Sequence, residues 1–142
     1  MASTAPAANF SPGLVWLFLS PIGRLGRHAY WLGFAFVWLI IAMALRMWWT
    51  SLDPGVNVEE LSLISFMESN PLFPILFFVL QWIELAMVIK RCQDIGITGF
   101  LALLIFIPGV NLLAVIIFGV VPSAGGANRY GPCPDSYYRR SS

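Results

Sequence analysis

Three stretches of this chain are too long and too apolar to be helices of a water-soluble fold. Tyr30 to Trp49 is 20 residues with a single charge, Arg46, near its far end. Leu72 to Ile89 is 18 residues, apolar but for Gln81 and Glu84, and Phe100 to Val121 is 22 residues without a charge. A helix on a soluble surface needs a polar face, and none can be drawn on these runs. At about 1.5 Å per residue, the 20 residues of the first run span roughly 30 Å, the hydrocarbon thickness of a bilayer. Composition agrees: 11% of the 142 residues are charged, against roughly 25% in ordinary soluble domains. The expectation is an all-α integral membrane protein, one small domain built on three transmembrane runs.

The ends of the runs carry membrane-interface chemistry. Tyr30 and Trp31 open the first and Trp48 and Trp49 close it, matching the aromatic belts of the two interfaces. Arg46 lies within one turn of the end and can snorkel outward. Pro71 and Pro74 sit in the first turn of the second run, where a missing N–H is harmless, and Lys90-Arg91 close it where cations suit the helix dipole. Residues 12–22 are apolar but too short to cross, so they are expected to lie in the interface behind a mobile tail, 1–11. The start lacks the basic residues and cleavage pattern of a signal peptide. The connection 50–70 holds four of the seven acids (Asp53, Glu59, Glu60 and Glu68) and no base. Asn57 with Glu60 predicts a capped surface helix from Val58 to about Ser69, its acids a solvated face. Residues 122–142 form a polar, turn-rich tail.

The third run contains Pro108-Gly109-Val110-Asn111 and is either one kinked crossing or two half-helices that enter and return. Lys and Arg favour the cytoplasmic side. With Arg24 and Arg27 inside, a crossing divides the eight bases four and four, whereas re-entry puts seven inside and only Arg46 outside. Against re-entry, a turn at mid-depth must be buried in protein, and a chain this small has little to offer unless it oligomerises. Three crossings are favoured.

Several function classes drop out. A net charge of +1, with bases only at the ends of apolar runs, argues against nucleic acid. Cys92 and Cys133 form no metal pattern and no redox pair. His28 is the sole histidine and cannot build a metal site or a triad alone. No catalytic constellation or phosphate-cradling loop is found, so no cofactor and no enzyme activity are expected.

Three blocks resemble the motifs of one family. Gly23-Arg24-Leu25-Gly26-Arg27-x-x-Tyr30-Trp31 is similar to a GRxxRxxYW opening. Lys90 to Phe100 (KRCQDIGITGF), a polar elbow between the second and third runs, is similar to an RRLHDxGxSGW hinge. Gly125-x-x-Asn128-Arg129-Tyr130-Gly131-Pro132-x-Pro134 is similar to a GxxNRYGPDP ending. Together they resemble the "domain of unknown function 805" family of small bacterial inner-membrane proteins, over roughly residues 15 to 134. The resemblance implies a multi-pass protein of the bacterial inner membrane and assigns no activity. Lys90 stands where the family has Arg, Cys92 where it has Leu, Gln93 where it has His, and Cys133 where it has Asp. Ala29 replaces a frequent Glu.

Among single residues Glu84 is the most informative, because a carboxylate within a span needs a partner or a wet cavity. The expected partners are Arg27 or Arg91, in a polar cluster at the cytoplasmic face with Arg24, Lys90 and Asp94. Asp94 should pair with Arg24, Arg27 or Arg91 and fix the turn. The bases Arg24, Arg27, Lys90 and Arg91 also suit an anionic lipid head group. The tail block, Asn128, Arg129, Tyr130, Gly131 and Pro132, is a candidate site by resemblance. The favoured function is a non-enzymatic accessory or scaffold subunit, packed against partner membrane helices or against its own copies. The alternative is a solute-, ion- or lipid-handling protein with Gln81, Glu84 and Asn111 around a polar cavity.

Overall fold

A computed structural model describes residues 6–139 of the protein. Its helices are α1 (Leu14–Leu19), α2 (Arg27–Ser51), α3 (Leu63–Ser69), α4 (Leu72–Ile95) and α5 (Val110–Val120), with 3-10 segments at Val58–Glu60 and Gly99–Phe106. Two of them, α2 with 25 residues and α4 with 24, are apolar and long enough to cross a bilayer. They are antiparallel neighbours. At one end Leu25 N donates to Lys90 O at 3.3 Å, and at the other Phe66 of α3 packs between Trp48 and Phe73.

The core lies where α2, α4, the 3-10 segment and α5 meet, around Tyr30, Phe34, Val37, Met87, Ala102 and Phe118. Helix α2 contributes Tyr30, Gly33, Phe34 and Val37, one stripe at helical spacing. Two small residues set the helix separations. A Cβ at Gly33 would strike Met87 of α4, and one at Gly119 would overlap the ring of Trp31. The outward faces stay apolar, with Leu32, Phe36, Leu39 and Phe78 all exposed, which suits a lipid surround.

The structure corrects several boundaries. Lys90 to Ile95 is not part of an open elbow but the last turns of α4, and the chain reverses only at Gly96. There Gly96 N reaches Gln93 O at 3.3 Å and Ile97 N reaches Cys92 O at 3.0 Å, a left-handed helix stop with Gly96 at φ 91°. The single surface helix expected over Val58–Ser69 is two pieces. Asn57 accepts from Glu59 N instead of pairing with Glu60, and Ser62 with Ser65 forms the capping box that starts α3. Residues 1–5 of the expected mobile tail, like 140–142, lie outside the described residues, but Ala8–Asn9 (β1) pairs antiparallel with Tyr137–Tyr138 (β2).

The third run departs most from expectation. It is not one helix: the 3-10 segment ends at Phe106, the chain turns at Pro108-Gly109 with Gly109 at φ 81°, and α5 comes back. Both ends of the run meet the C-terminus of α4. Thr98 follows Asp94 by four residues, and Ala124 N donates to Asp94 O at 2.9 Å. The limbs match in length: eight residues at about 2 Å each and eleven at about 1.5 Å each both give roughly 16 Å. That is half of a bilayer core of about 30 Å.

Candidate functional site

The three motif blocks, far apart in sequence, converge at the end of the molecule where α2 begins and α4 ends. Asp94 is the centre. Its Oδ1 accepts from Arg24 Nε at 2.9 Å, and its Oδ2 accepts from Arg91 Nη1 and from the Ser123 hydroxyl. All three charged side chains are fully buried. Two guanidiniums around one carboxylate leave a surplus positive charge, which backbone carbonyls offset. Arg24 donates to Ala124 O at 2.8 Å and Gly126 O at 2.6 Å. Arg91 donates to Phe118 O at 2.8 Å, to Leu25 O at 3.1 Å and to Val121 O. No buried side-chain nitrogen or oxygen among the described residues lacks a partner, the condition under which a buried charged network is tolerable.

Each neighbour of Asp94 closes a helix end. Arg91 receives Phe118 O and Val121 O from the C-terminus of α5, where orphan carbonyls and the dipole favour a cation. Lys90, also fully buried, donates to Trp16 O at 2.5 Å and Leu17 O at 2.6 Å in α1, with its ammonium 4.3 Å from the Trp16 ring centre. Gln93 bridges in both directions, accepting from Gly23 N at 3.1 Å and donating to Pro21 O at 3.3 Å. From the tail, Asn128 Nδ2 donates to Gln93 O at 2.9 Å, while its Oδ1 accepts from Tyr130 N and Gly131 N. Gly131 faces Ser136 so closely that a Cβ there would collide with it. Arg129 lies outside the network, its guanidinium 4.7 Å from the Tyr130 ring, and Pro132 is half-buried in the turn that follows.

Residues 18–132 match the family described as "Protein of unknown function (DUF805)". The chain belongs to the DUF805 family. Its similar relatives include the inner membrane protein YhaI of Escherichia coli K12 and the YhaI of strain O157:H7. Each is 28% identical over 112 residues, which is 79% of this chain and 83% of the relative. No solved structure matches. With apolar helices of bilayer length and this kinship, the DUF805 chain is a multi-pass protein of the bacterial inner membrane.

Within this DUF805 protein the knot is closed. Arg24, Lys90 and Arg91 are buried and spoken for, so they are not available to the lipid head group expected at the four bases. Of those four bases only Arg27 is exposed, beside the exposed His28, above a groove walled by Trp31, Leu32 and Val120. Among the described residues no three His, Cys, Asp or Glu side chains come together in a metal-holding group. Sequence reasoning missed Ser123, Ser136 and Asp135. Asp135 Oδ1 accepts from Gly26 N at 2.8 Å at the start of α2, from a backbone at φ 59° that Asp tolerates better than most residues. Its offset from Gly26 in sequence carries no signal for such a contact.

Glu84 stands apart from the knot. It pairs with neither Arg27 nor Arg91, and both ion pairs among the described residues belong to Asp94. The reason is reach: Arg91 lies seven residues on, about 10 Å along the helix, and turns to Asp94 instead. The Glu84 carboxylate meets Gln81 Nε2 at 3.4 Å. It faces a cleft of about 450 Å³ between α2, α3 and α4 on one side, and a pocket of about 80 Å³ shared with Asn111, Phe34 and Trp38 on the other.

Proposed function

We propose that the protein is a non-enzymatic membrane subunit, an accessory or scaffold that packs against partner transmembrane helices, copies of itself included. The knot fixes an antiparallel frame of α2 and α4, and the frame presents the returning hairpin of the third run at half the bilayer depth. This topology gathers Arg24, Arg27, Lys90, Arg91, Arg129 and Arg139 on the cytoplasmic side and leaves Arg46 opposite, as the distribution of bases in membrane proteins favours.

One observation carries the reading. The hairpin tip, Ile107 to Asn111, is exposed, and the Asn111 side-chain nitrogen Nδ2 makes no hydrogen bond among the described residues. Backbone and amide groups at that depth are tolerated only when covered by protein or lining a wet cavity. A second chain against the tip supplies the cover. The test is the mass of the full-length protein extracted in a mild detergent: an assembly of several chains, or a co-purifying membrane protein, is expected. A lone chain carrying nothing but lipid would overturn the proposal.

The exposed pair Arg27 and His28 narrows the lipid proposal to one place, a phospholipid with its anionic head on Arg27 and a chain along Trp31 and Leu32. A ligand-handling role is the second reading, favoured by the cleft at Glu84 and Gln81.

A further inference from the structure

The cleft between α2, α3 and α4 has walls of one kind and a floor of another. Helix α4 lines it with Phe73, Leu76, Phe77, Leu80, Gln81 and Glu84, a single stripe at helical spacing, and α2 answers with Ile41, Ala44, Leu45 and Trp48. Phe66 of α3 lies over the end away from the knot, packed between Trp48 and Phe73. Four aromatic rings therefore surround the space, and the polar side chains that line it are Ser62, Gln81 and Glu84.

Glu84 is ten residues before Asp94, about 15 Å along the helix, which places it near the middle of α4. A carboxylate there accepts hydrogen bonds and, when ionised, donates none. Its partner in the chain, Gln81, is neutral. The cations nearest in sequence are committed elsewhere: Lys90 to the carbonyls of α1, Arg91 to Asp94 and α5. The small pocket shared with Asn111, Phe34 and Trp38 borders the carboxylate on the side away from the cleft and is lined by no cationic side chain. On the cleft side the charge has no counterpart. Aromatic faces attract cations and repel anions, and that preference has the same sign as the carboxylate's.

We infer that the cleft binds an organic cation with a bulky apolar body, its positive charge set against Glu84 and its body among Trp48, Phe66, Phe73 and Phe77. The inference rests on the ligand-handling reading of the cleft and adds the sign of the ligand's charge. A neutral lipid chain would fill the same walls but leave the carboxylate unmatched.

Two ions of the same shape and opposite charge separate these ideas: tetraphenylphosphonium and tetraphenylborate, titrated calorimetrically against the full-length protein in a neutral maltoside detergent. Saturable binding of the phosphonium is expected, at least tenfold tighter than the borate, with Glu84→Gln weakening the phosphonium at least tenfold. Equal binding of both ions, or unchanged phosphonium binding by Glu84→Gln, would overturn the charge inference and leave a ligand cleft standing. Failure of both ions to bind the folded wild type would remove the ligand reading as well. Should Glu84→Gln not fold, Phe66→Ala decides, because α3 has no buried residue and its loss spares the core. That variant should lose phosphonium affinity at least tenfold, and wild-type affinity would overturn the inference.

Discussion

Asp94 is the one carboxylate that pairs with Arg24 and Arg91 among the described residues, so its removal is the severest single change in the knot. Asp94→Asn keeps the shape and drops the charge, stranding Arg24 and Arg91 beside one another, fully buried. Breaking a buried pair in this way costs about 3–5 kcal/mol. Thermal unfolding of the purified variant should show a large drop, while Glu59→Gln on the exposed loop stays within about 0.5 kcal/mol of wild type. Equal stability of the two variants would sink this account of the knot. Gln93 teaches something different. It occupies the place of the family's usual histidine, and here it needs one acceptor, for Gly23 N, and one donor, for Pro21 O. A neutral imidazole offers the same pair of groups, so the position asks for hydrogen bonding and not for titration. Gln93→His should preserve stability, whereas Gln93→Leu should lose about 1–3 kcal/mol by orphaning buried partners. A histidine variant as unstable as the leucine one would refute the equivalence.

The elements owe their ends to side chains from elsewhere in the chain. Lys90 caps α1, Arg91 caps α5, and Asp135 holds the start of α2. Neighbouring residues of one helix thus terminate two others, which explains why the block around Lys90 is dense in polar groups although it is helical. Gly96 does the stopping for α4 itself, in a left-handed conformation that a Cβ disfavours. Gly96→Ala should destabilise by about 1–2 kcal/mol. Gly55, which has open space around it and no positive φ, should accept alanine at a loss below about 1 kcal/mol. Denaturation of the two variants side by side checks the contrast, and equal losses would contradict it.

The layout of the molecule follows from where the third run ends. Since Val121 O and Ala124 N return to Arg91 and Asp94, and β1 pairs with β2, the first and last described segments sit at one end. Fluorescent proteins that mature only in the cytoplasm, fused in turn to each terminus, should both fluoresce. Cysteine substituted at Glu60 should react with a membrane-impermeant maleimide from outside, in a background lacking Cys92 and Cys133. Fluorescence from one fusion alone would mean that the third run crosses.

Hydropathy and charge were enough to reveal the membrane class and both long helices, because a span needs only length and the absence of charge, which are local properties of the chain. The partners of the charges were not legible in the same way. Asp94 was expected among the bases, yet Arg24 came to it and Arg27 did not, and Glu84 found no base among the described residues. Which of several nearby cations reaches a carboxylate depends on helix rotation and on the carbonyls that compete for it. The fate of Phe100 to Val121 was likewise open, since Pro108-Gly109 permits a kink or a reversal equally well. Its resolution came from long-range bonds: two guanidinium donors of Arg91 drew the end of α5 back to the end of α4. Local chemistry sets how far each segment can reach into a bilayer, and the pairing of distant polar groups sets whether it goes through or comes back.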